Sequence, residues 1–260
     1  MIWNKYNEDF FEVPNVNNSY WAGFIAGDGY INARALAINL KRSDEGHLSK
    51  LANHLGVNRL YYADGYDKRT GKNYYKCMLR ATNEKIVSDL VKVWSIPIDD
   101  KTGTLLPPDN LDSDDLYFAW LRGMFDADGC YWVRKNRPNV NLIGTKEVIE
   151  WTADFLAETA GKTPTVRQDR RSPNLYMVEY SGDPAIKIRE RFRSLDTDFL
   201  ERKDQVWESA GANLTILSEY VHGTSRMYGT KKCRCDICKA GMKDIWREES
   251  RKKRKKQVVE

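Results

Sequence analysis

Two Asp-Gly pairs are the residues of this sequence whose types and spacing are best suited to chemistry. The segment "WAGFIAGDG" ends with Asp28 and Gly29, and "WLRGMFDADG" ends with Asp128 and Gly129. If two such segments lie side by side, their carboxylates repel each other unless a proton or a cation intervenes. Mg²⁺, with Mn²⁺ or Ca²⁺ in its place, prefers oxygen ligands of this kind. Asp28 and Asp128 are therefore predicted to hold a divalent cation, as sites for phosphoryl displacement do.

Small residues precede each Asp-Gly pair at helical spacing. Gly23 and Gly27 lie four positions apart in the first segment, and Gly123 and Ala127 lie four positions apart in the second. Glycine costs roughly 1 kcal/mol relative to alanine inside a helix, so its presence indicates that another backbone comes close. We therefore predict two helices that pack directly against each other through these four residues. The glycine of each Asp-Gly pair is expected to be the left-handed residue that ends its helix.

The elements around these segments repeat in order. A helix, two strands, a helix, two strands and a helix are predicted in residues 1–105 and again in residues 106–210. Within the second copy, a hairpin is expected to turn at Arg137–Pro138, and Asp183 is expected to cap the last helix. The predicted fold class is α+β, with two pseudo-symmetric halves that each contain a four-stranded antiparallel sheet. Residues 211–221 are expected to be a linker, and residues 222–260 a small C-terminal module.

The two segments resemble the paired motifs of single-chain LAGLIDADG homing endonucleases. In the second copy, Arg122 replaces the usual small residue, and in the first copy Ala26 stands where the motif has its first Asp. The second Asp of each motif, which carries the metal in that family, is kept as Asp28 and Asp128. The resemblance covers about residues 15–210. It implies αββαββα halves, and it implies sheets that form a saddle over the major groove of double-stranded DNA.

The same resemblance implies a basic residue near the site, late in each half. Lys101 in "IPIDDKTG" and Lys203 in "FLERKDQV" occupy such places. A lysine there could orient or activate the attacking water, or stabilise charge on the phosphate. Outside the family context, each would be an ordinary surface lysine.

Polar side chains on the predicted strands are candidates for contacts with DNA. Cys77 and Leu79 suit the core side of the strand at 74–80, and Arg and Gln can read guanine and adenine edges in the major groove. The alternative is that these side chains face water or bind phosphate. The residues predicted to contact DNA from the two sheets are Tyr74, Lys76, Arg80, Arg167, Gln168, Arg170 and Arg171.

The C-terminal tail differs from the rest of the chain in charge and in cysteine content. From residue 222 onward there are 13 Lys+Arg and 5 Asp+Glu, a net charge of +8, whereas the preceding residues carry −3. This imbalance predicts a polyanionic partner, with Lys231, Lys232 and Arg234 among the contacts. His222, Cys233, Cys235 and Cys238 could form a zinc site, and the alternative is a set of free thiols in a mobile tail.

These patterns together predict a metal-dependent endonuclease that cuts double-stranded DNA at specific sites, and the family resemblance implies intron homing. A DNA-binding regulator that does not cut, an RNA intron maturase on the same scaffold, and an interaction domain whose helix pair is only core remain alternatives. The 260-residue chain has no apolar run long enough to span a membrane and begins with a polar segment. We expect a monomer in a phage-like or prokaryotic cytoplasm or in an organelle.

Overall fold

The computed structural model describes residues 5–101, 103–170, 172–212, 214, 228–229 and 234–257, with residues 238 and 248–257 described by their backbone alone. The chain divides into two compact units, Met1–Leu214 and Thr215–Glu260. No helix in the described ranges is both long enough and apolar enough to cross a membrane.

The first half of the larger unit begins with a well-capped helix. Asn15 accepts from the backbone N–H groups of the first turn, and Asn18 returns a bond to the backbone of Asn15, so the start of the helix is fixed. Gly56 ends the second helix with φ +68°, the left-handed geometry that glycine tolerates. The elements are α1 Val16–Asp28, β1 Gly29–Asn32, β2 Ala35–Lys41, α2 Glu45–Leu55, β3 Tyr61–Asp67, β4 Lys72–Thr82 and α3 Glu84–Lys92.

The second half repeats this order with shorter strands in its second hairpin. Its elements are α4 Asp114–Ala127, β5 Cys130–Arg134, β6 Arg137–Gly144, α5 Lys146–Phe155, α6 Ala157–Ala160, β7 Arg167–Gln168, β8 Tyr176–Ser181, α7 Asp183–Arg193, α8 Glu201–Asp204 and α9 Val206–Ser209. In the smaller unit, the terminal helix runs over Asp236–Gln257.

Both sheets are antiparallel and four-stranded with the same order. The first sheet is arranged β1-β2-β4-β3 and the second β5-β6-β8-β7. In each sheet, alternate residues are buried against the helices, as Leu36, Ile38 and Leu40 are in β2. The other face of each sheet, which we call the open face, points away from the helices. The predicted α+β fold with two pseudo-symmetric halves is confirmed.

Three local expectations were wrong. Gly29 has φ −76°, and Gly129 is likewise absent from the residues with positive φ. Glycine is needed at both positions for space, because an added Cβ would lie 2.7 Å from the Ile25 carbonyl oxygen and 2.4 Å from that of Phe125.

The other two errors concern strand and helix ends in the second half. The β5–β6 turn lies two residues earlier than Arg137–Pro138, at Lys135 and Asn136, which both adopt positive φ. Asp183 is the first residue of its helix rather than its cap, a position held by Gly182.

Candidate active site at the paired helix ends

Helices α1 and α4 touch backbone to backbone. A Cβ atom added to Gly23 would lie 1.9 Å from the Trp120 carbonyl oxygen, and one added to Gly123 would lie 2.0 Å from the Tyr20 carbonyl oxygen. Further along, a Cβ on Gly27 would lie 2.4 Å from the Cβ of Ala127. The structure therefore places all four predicted small residues at the contact between the two helices. Any larger side chain there would push the helices apart.

The two helices end beside each other at the candidate metal ligands. Asp28 is the last residue of α1, and Asp128 follows the last residue of α4. A Cβ on Gly27 would lie 3.0 Å from Oδ2 of Asp128, so this carboxylate lies against the end of α1. Both aspartates are exposed. A ligand can therefore reach both carboxylates at once.

Protein packed behind the two carboxylates changes their acidity. Desolvation raises the pKa of Asp128 to about 6, the charge of Asp28 adds to the rise, and Lys101 and Lys203 oppose it. Desolvation also raises the pKa of Asp28, against the opposing charges of Lys203, Lys101 and Arg202. The carboxylates stay exposed to incoming groups while losing part of their hydration. A cation bound between them would relieve both penalties.

Lys101 binds the end of α1, and Lys203 binds the end of α4. Nζ of Lys101 donates to the carbonyl oxygens of Ile25, Ala26 and Gly27 at 3.1, 2.9 and 2.6 Å. Nζ of Lys203 donates to those of Phe125, Ala127 and Gly129 at 3.3, 2.7 and 2.7 Å. Each ammonium thus neutralises the negative end of one helix.

The hydrogen bonds of these two lysines restrict their chemistry. An ammonium has three N–H donors, and in both lysines all three are directed at carbonyl oxygens. Desolvation lowers the pKa of Lys101 to about 8 and also lowers that of Lys203, while nearby carboxylates oppose both changes. Of the two roles expected for these lysines, the supply of positive charge fits this geometry. While all three donors are engaged, neither ammonium has a donor left to orient a water molecule or a lone pair to accept its proton.

A buried carboxylate that the sequence reasoning left out of the site supports Lys203. Oδ2 of Asp126 accepts from the Tyr20 hydroxyl at 2.9 Å and from the backbone N–H of Leu200 at 2.8 Å. Leu200 immediately precedes α8, the helix that carries Lys203. Burial raises the pKa of Asp126 to about 6. The available signal was the first Asp of the second motif, whose counterpart in the first half is Ala26.

The segment that carries Lys203 is attached to the first half of the chain. Oδ2 of Asp198 accepts from Nε1 of Trp21 at 2.8 Å. Arg202 makes two bonds to the buried carboxylate of Asp44, at 3.0 and 2.8 Å. Nζ of Lys50 lies 2.6 Å from Oε1 of Glu201. The lysine of one half is therefore positioned by the surface of the other.

Lys101 is held by a different device. Its loop is fixed by Asp99, whose backbone N–H donates to the Ile31 carbonyl at 2.8 Å and whose carboxylate accepts from the Tyr30 hydroxyl at 3.0 Å. Asp99 has φ +64°, an uncommon conformation for a residue with a side chain. These contacts fix the backbone two residues before Lys101.

The predicted DNA contacts on the first sheet lie on one face. Cys77 and Leu79 are fully buried, which leaves Tyr74, Lys76 and Arg80 on the open face of β4. In the second sheet, by contrast, the predicted DNA contacts do not share one face.

Arg167 pairs with Met177 and lies on the open face of the second sheet. Gln168 has the opposite orientation, and its side-chain amide donates to the Pro173 carbonyl at 2.7 Å. Arg170 is exposed in the loop that follows, and Arg171 lies outside the described residues.

Most of the predicted tail site lies outside the described residues. This holds for His222, Lys231, Lys232 and Cys233, and Cys238 is described by its backbone alone. Cys235 is exposed, and the guanidinium of Arg234 lies 3.8 Å from the centre of the Tyr228 ring. Within the described part of the chain, no group of three or more His, Cys, Asp or Glu side chains could hold a metal ion.

Solved structures provide the likeness that sequence comparison does not. No family model and no curated protein matches the chain. The homing endonuclease I-WcaI bound to its DNA recognition sequence is 13% identical, with a TM-score of 0.55 over 78% of this chain and 94% of that one. The LAGLIDADG homing endonuclease I-GzeII in complex with its DNA target is 11% identical, with a TM-score of 0.50 over 90% of this chain and 97% of that one.

The duplicated halves and the paired helices define a two-motif α+β architecture. This architecture is the fold of the LAGLIDADG homing endonucleases, so the resemblance predicted from the two motifs is confirmed at the level of fold.

Proposed function

We propose that this chain is a metal-dependent endonuclease that cuts double-stranded DNA at a specific site. The observation that carries the proposal is the pair of exposed carboxylates, Asp28 and Asp128, at the touching ends of α1 and α4. Nothing in a purely structural helix pair requires two acidic groups with raised pKa values at one end. A phosphodiester bond is the substrate class that such a pair suits best.

The donor set suits a hard divalent cation. Two carboxylates offer oxygen ligands, and Mg²⁺ is commonly bound by one or two carboxylates, with phosphate and water completing its shell. Asp28 and Asp128 would hold Mg²⁺, or Mn²⁺ or Ca²⁺ in its place. When bound, the ion would neutralise charge on the scissile phosphate.

The chain's own groups have separate tasks in this proposal. The aspartates would hold the cation between the two helix ends, and Asp128 loses its proton as the pH rises through its pKa of about 6. Lys101 and Lys203 hold the two helix ends in place and keep positive charge near the phosphate. One chain supplies both aspartates and both lysines, which supports action as a monomer.

Double-stranded DNA is the proposed partner because of the open faces of the two sheets. Exposed cationic side chains lie on both faces, including Lys76 and Arg80 in the first and Arg167 in the second. The two similar endonuclease structures contain bound DNA. Proteins of this kind bind phosphates with their cations and read base edges with the rest.

The proposal is tested by cleavage of a DNA library. The protein is incubated with randomised duplex DNA and Mg²⁺, and the new ends are sequenced, with an Asp28→Asn/Asp128→Asn double variant as the matched control. We expect one recurring pair of ends that requires Mg²⁺ and is absent with the double variant. The same new DNA ends from the parent and the double variant would contradict cleavage by Asp28 and Asp128. If a duplex is then still retained, the chain is a regulator that does not cut, and preferential retention of intron RNA indicates a maturase.

We further propose that the basic tail binds DNA flanking this site and that its cysteines bind zinc. The support is the net charge of +8 after residue 221, together with the sequence "CRCDIC". Each phosphate neutralised adds a slope of about −0.9 to log K against log salt. If the tail makes about three to five such contacts, deleting residues 222–260 should reduce the magnitude of that slope by about three to four units. The deletion should also remove bound zinc, with cleavage kept at saturating protein. An unchanged slope, or zinc retained after the deletion, would overturn the proposal.

A further inference from the structure

Strands β3 and β4 extend beyond the helices as a two-stranded ribbon. The first five residues of β4, from Lys72 to Lys76, are exposed, and β3 has no buried residue. The register pairs Tyr61 with Met78 and Gly65 with Tyr74, so these four residues share the open face. The major groove of B-DNA, about 12 Å wide, admits a two-stranded ribbon of this kind.

Tyr74 lies flat on this ribbon. A Cβ added to Gly65 would lie 2.4 Å from the Tyr74 hydroxyl oxygen and 2.5 Å from Cζ, so the ring covers the glycine opposite. The missing side chain at Gly65 therefore leaves room for the ring, and 39% of Tyr74 is exposed. Nζ of Lys76 lies 4.9 Å from the ring centre. Because the lysine is flexible and exposed, it can leave the ring for a phosphate while the contact with Gly65 remains.

The open face of the first sheet carries exposed aromatic side chains besides Tyr74. Tyr61 is 42% exposed, with the Arg59 guanidinium 4.8 Å from its ring centre, and Tyr30 on β1 is 47% exposed. On the described strands of the second half, no tyrosine or tryptophan reaches this exposure. The open face there carries exposed arginines instead: Arg134, Arg137 and Arg167.

We propose that the two halves read different base chemistry, and that Tyr74 on its Gly65 support recognises thymine methyl groups in one half-site. Thymine alone presents a methyl group in the major groove, and apolar side chains contact it there. The exposed face of the ring offers such a surface, and its hydroxyl lies at the Gly65 end of the ring. The arginines of the second half suit guanine, whose O6 and N7 accept from a guanidinium. This inference rests on the proposed function, since it requires a bound duplex.

The experiment replaces thymine by uracil, which removes only the methyl group. The duplex recovered from the cleavage library is synthesised with uracil in one half-site, in the other, or in neither, and binding is measured by competition with Ca²⁺ present. We expect uracil in one half-site alone to weaken binding about four-fold per contacted methyl, the effect of burying one carbon. In the Tyr74→Ala variant, thymine and uracil duplexes should bind equally.

Three further variants distinguish the effect of the Tyr74 ring from a general disturbance of the sheet. Tyr74→Phe keeps the ring and should keep the preference for thymine. Gly65→Val should remove the preference, because its side chain displaces the Tyr74 ring. Tyr75→Ala changes an exposed tyrosine on the opposite face of the same strand, and the preference should be unchanged.

The outcomes distinguish this inference from the proposed function. Specific binding with equal affinity for thymine and uracil duplexes overturns the inference and leaves the endonuclease proposal standing. A thymine preference that survives Tyr74→Ala also overturns it. Single-stranded DNA bound as tightly as the duplex would indicate that the tyrosines stack on unpaired bases, and it too would overturn the inference. Absence of any specific duplex binding defeats the proposed function itself.

Discussion

The two halves of the molecule bring a lysine to the same place by different means. In each half the ammonium donates to three carbonyl oxygens at the end of a central helix. In the second half, Asp126 fixes the backbone of Leu200 just before the helix of Lys203. In the first half, Ala26 occupies the equivalent position, and Asp99 fixes the loop from outside.

This difference separates what the site requires from how it is supported. The helix contact, the aspartate and the three-carbonyl lysine are common to both halves, so the geometry of the helix ends depends on them. The buried carboxylate is present once, so it is a support that can be replaced by another. The shared features should therefore be sensitive in both halves, and the unshared one only in its own half.

The largest effect is expected where the halves are most alike. Gly23→Ala and Gly123→Ala each place a Cβ atom within about 2 Å of a facing carbonyl oxygen, and each should lower the free energy of unfolding by about 3 kcal/mol or more. Gly46→Ala is the matched control, since nothing lies within 4 Å of its added Cβ, and it should be neutral or stabilising. Denaturant unfolding measures all three. Two halves that respond very differently would show that the contact is not symmetric.

The next effect concerns the chemistry of each half. Asp28→Asn and Asp128→Asn should each reduce double-strand cleavage by about 100-fold, because each removes the charge of a metal ligand, while binding stays nearly intact. Asp112→Asn, at an exposed aspartate before α4, is the control and should cut normally. A variant that keeps more than about a tenth of the parental rate would remove that aspartate from the proposed site.

Asp126→Ala makes the second half like the first at one position. Leu200 loses its acceptor, so Lys203 should be less well placed, and cleavage of one strand should slow about ten-fold relative to the other. Nicked DNA would then accumulate, as gel analysis of a supercoiled substrate can show. Asp126→Asn keeps an oxygen that can accept from Leu200 and should behave nearly as the parent. Equal slowing of both strands would mean that Asp126 supports the whole helix pair.

The smallest effect is on stability without metal. The folded-state pKa of Asp128, about 6, lies above its ordinary value, so the folded state binds this proton more tightly than the unfolded state. Stability should therefore fall as pH rises from about 4 to 6, and the loss should be complete above that range. In a chelator, Asp128→Asn should raise the unfolding temperature by about 2–4 °C at pH 7.5, for roughly 1 kcal/mol, and by clearly less at pH 4.5. If Asp128→Asn were instead less stable than the parent at pH 7.5, desolvation of the Asp128 carboxylate would not be destabilising the folded state.

Much of the fold was readable because periodicity and the duplicated motif are local signals. Alternation in the strands and the small residues at Gly23 and Gly123 predicted the halves and their contact. The role of Asp126 was not readable, because its partner Leu200 lies 74 positions away and the bond depends on the docking of α8. The three-carbonyl contacts of the lysines were hidden for the same reason. The flat ring of Tyr74 depends on the strand register, which a single sequence leaves open.

The crossed attachment of the lysine segments makes the two copies of the repeat mutually dependent. Arg202 is bonded to Asp44 of the first half, and Glu201 is paired with Lys50 of the first half. In return, Leu105, shortly after Lys101, accepts a bond from Thr145 of the second half at 2.7 Å. If the chain were cut between residues 105 and 106, each fragment would therefore lack contacts that only the other fragment provides. The repeat has become a pair of complementary parts, each with a different sequence to maintain.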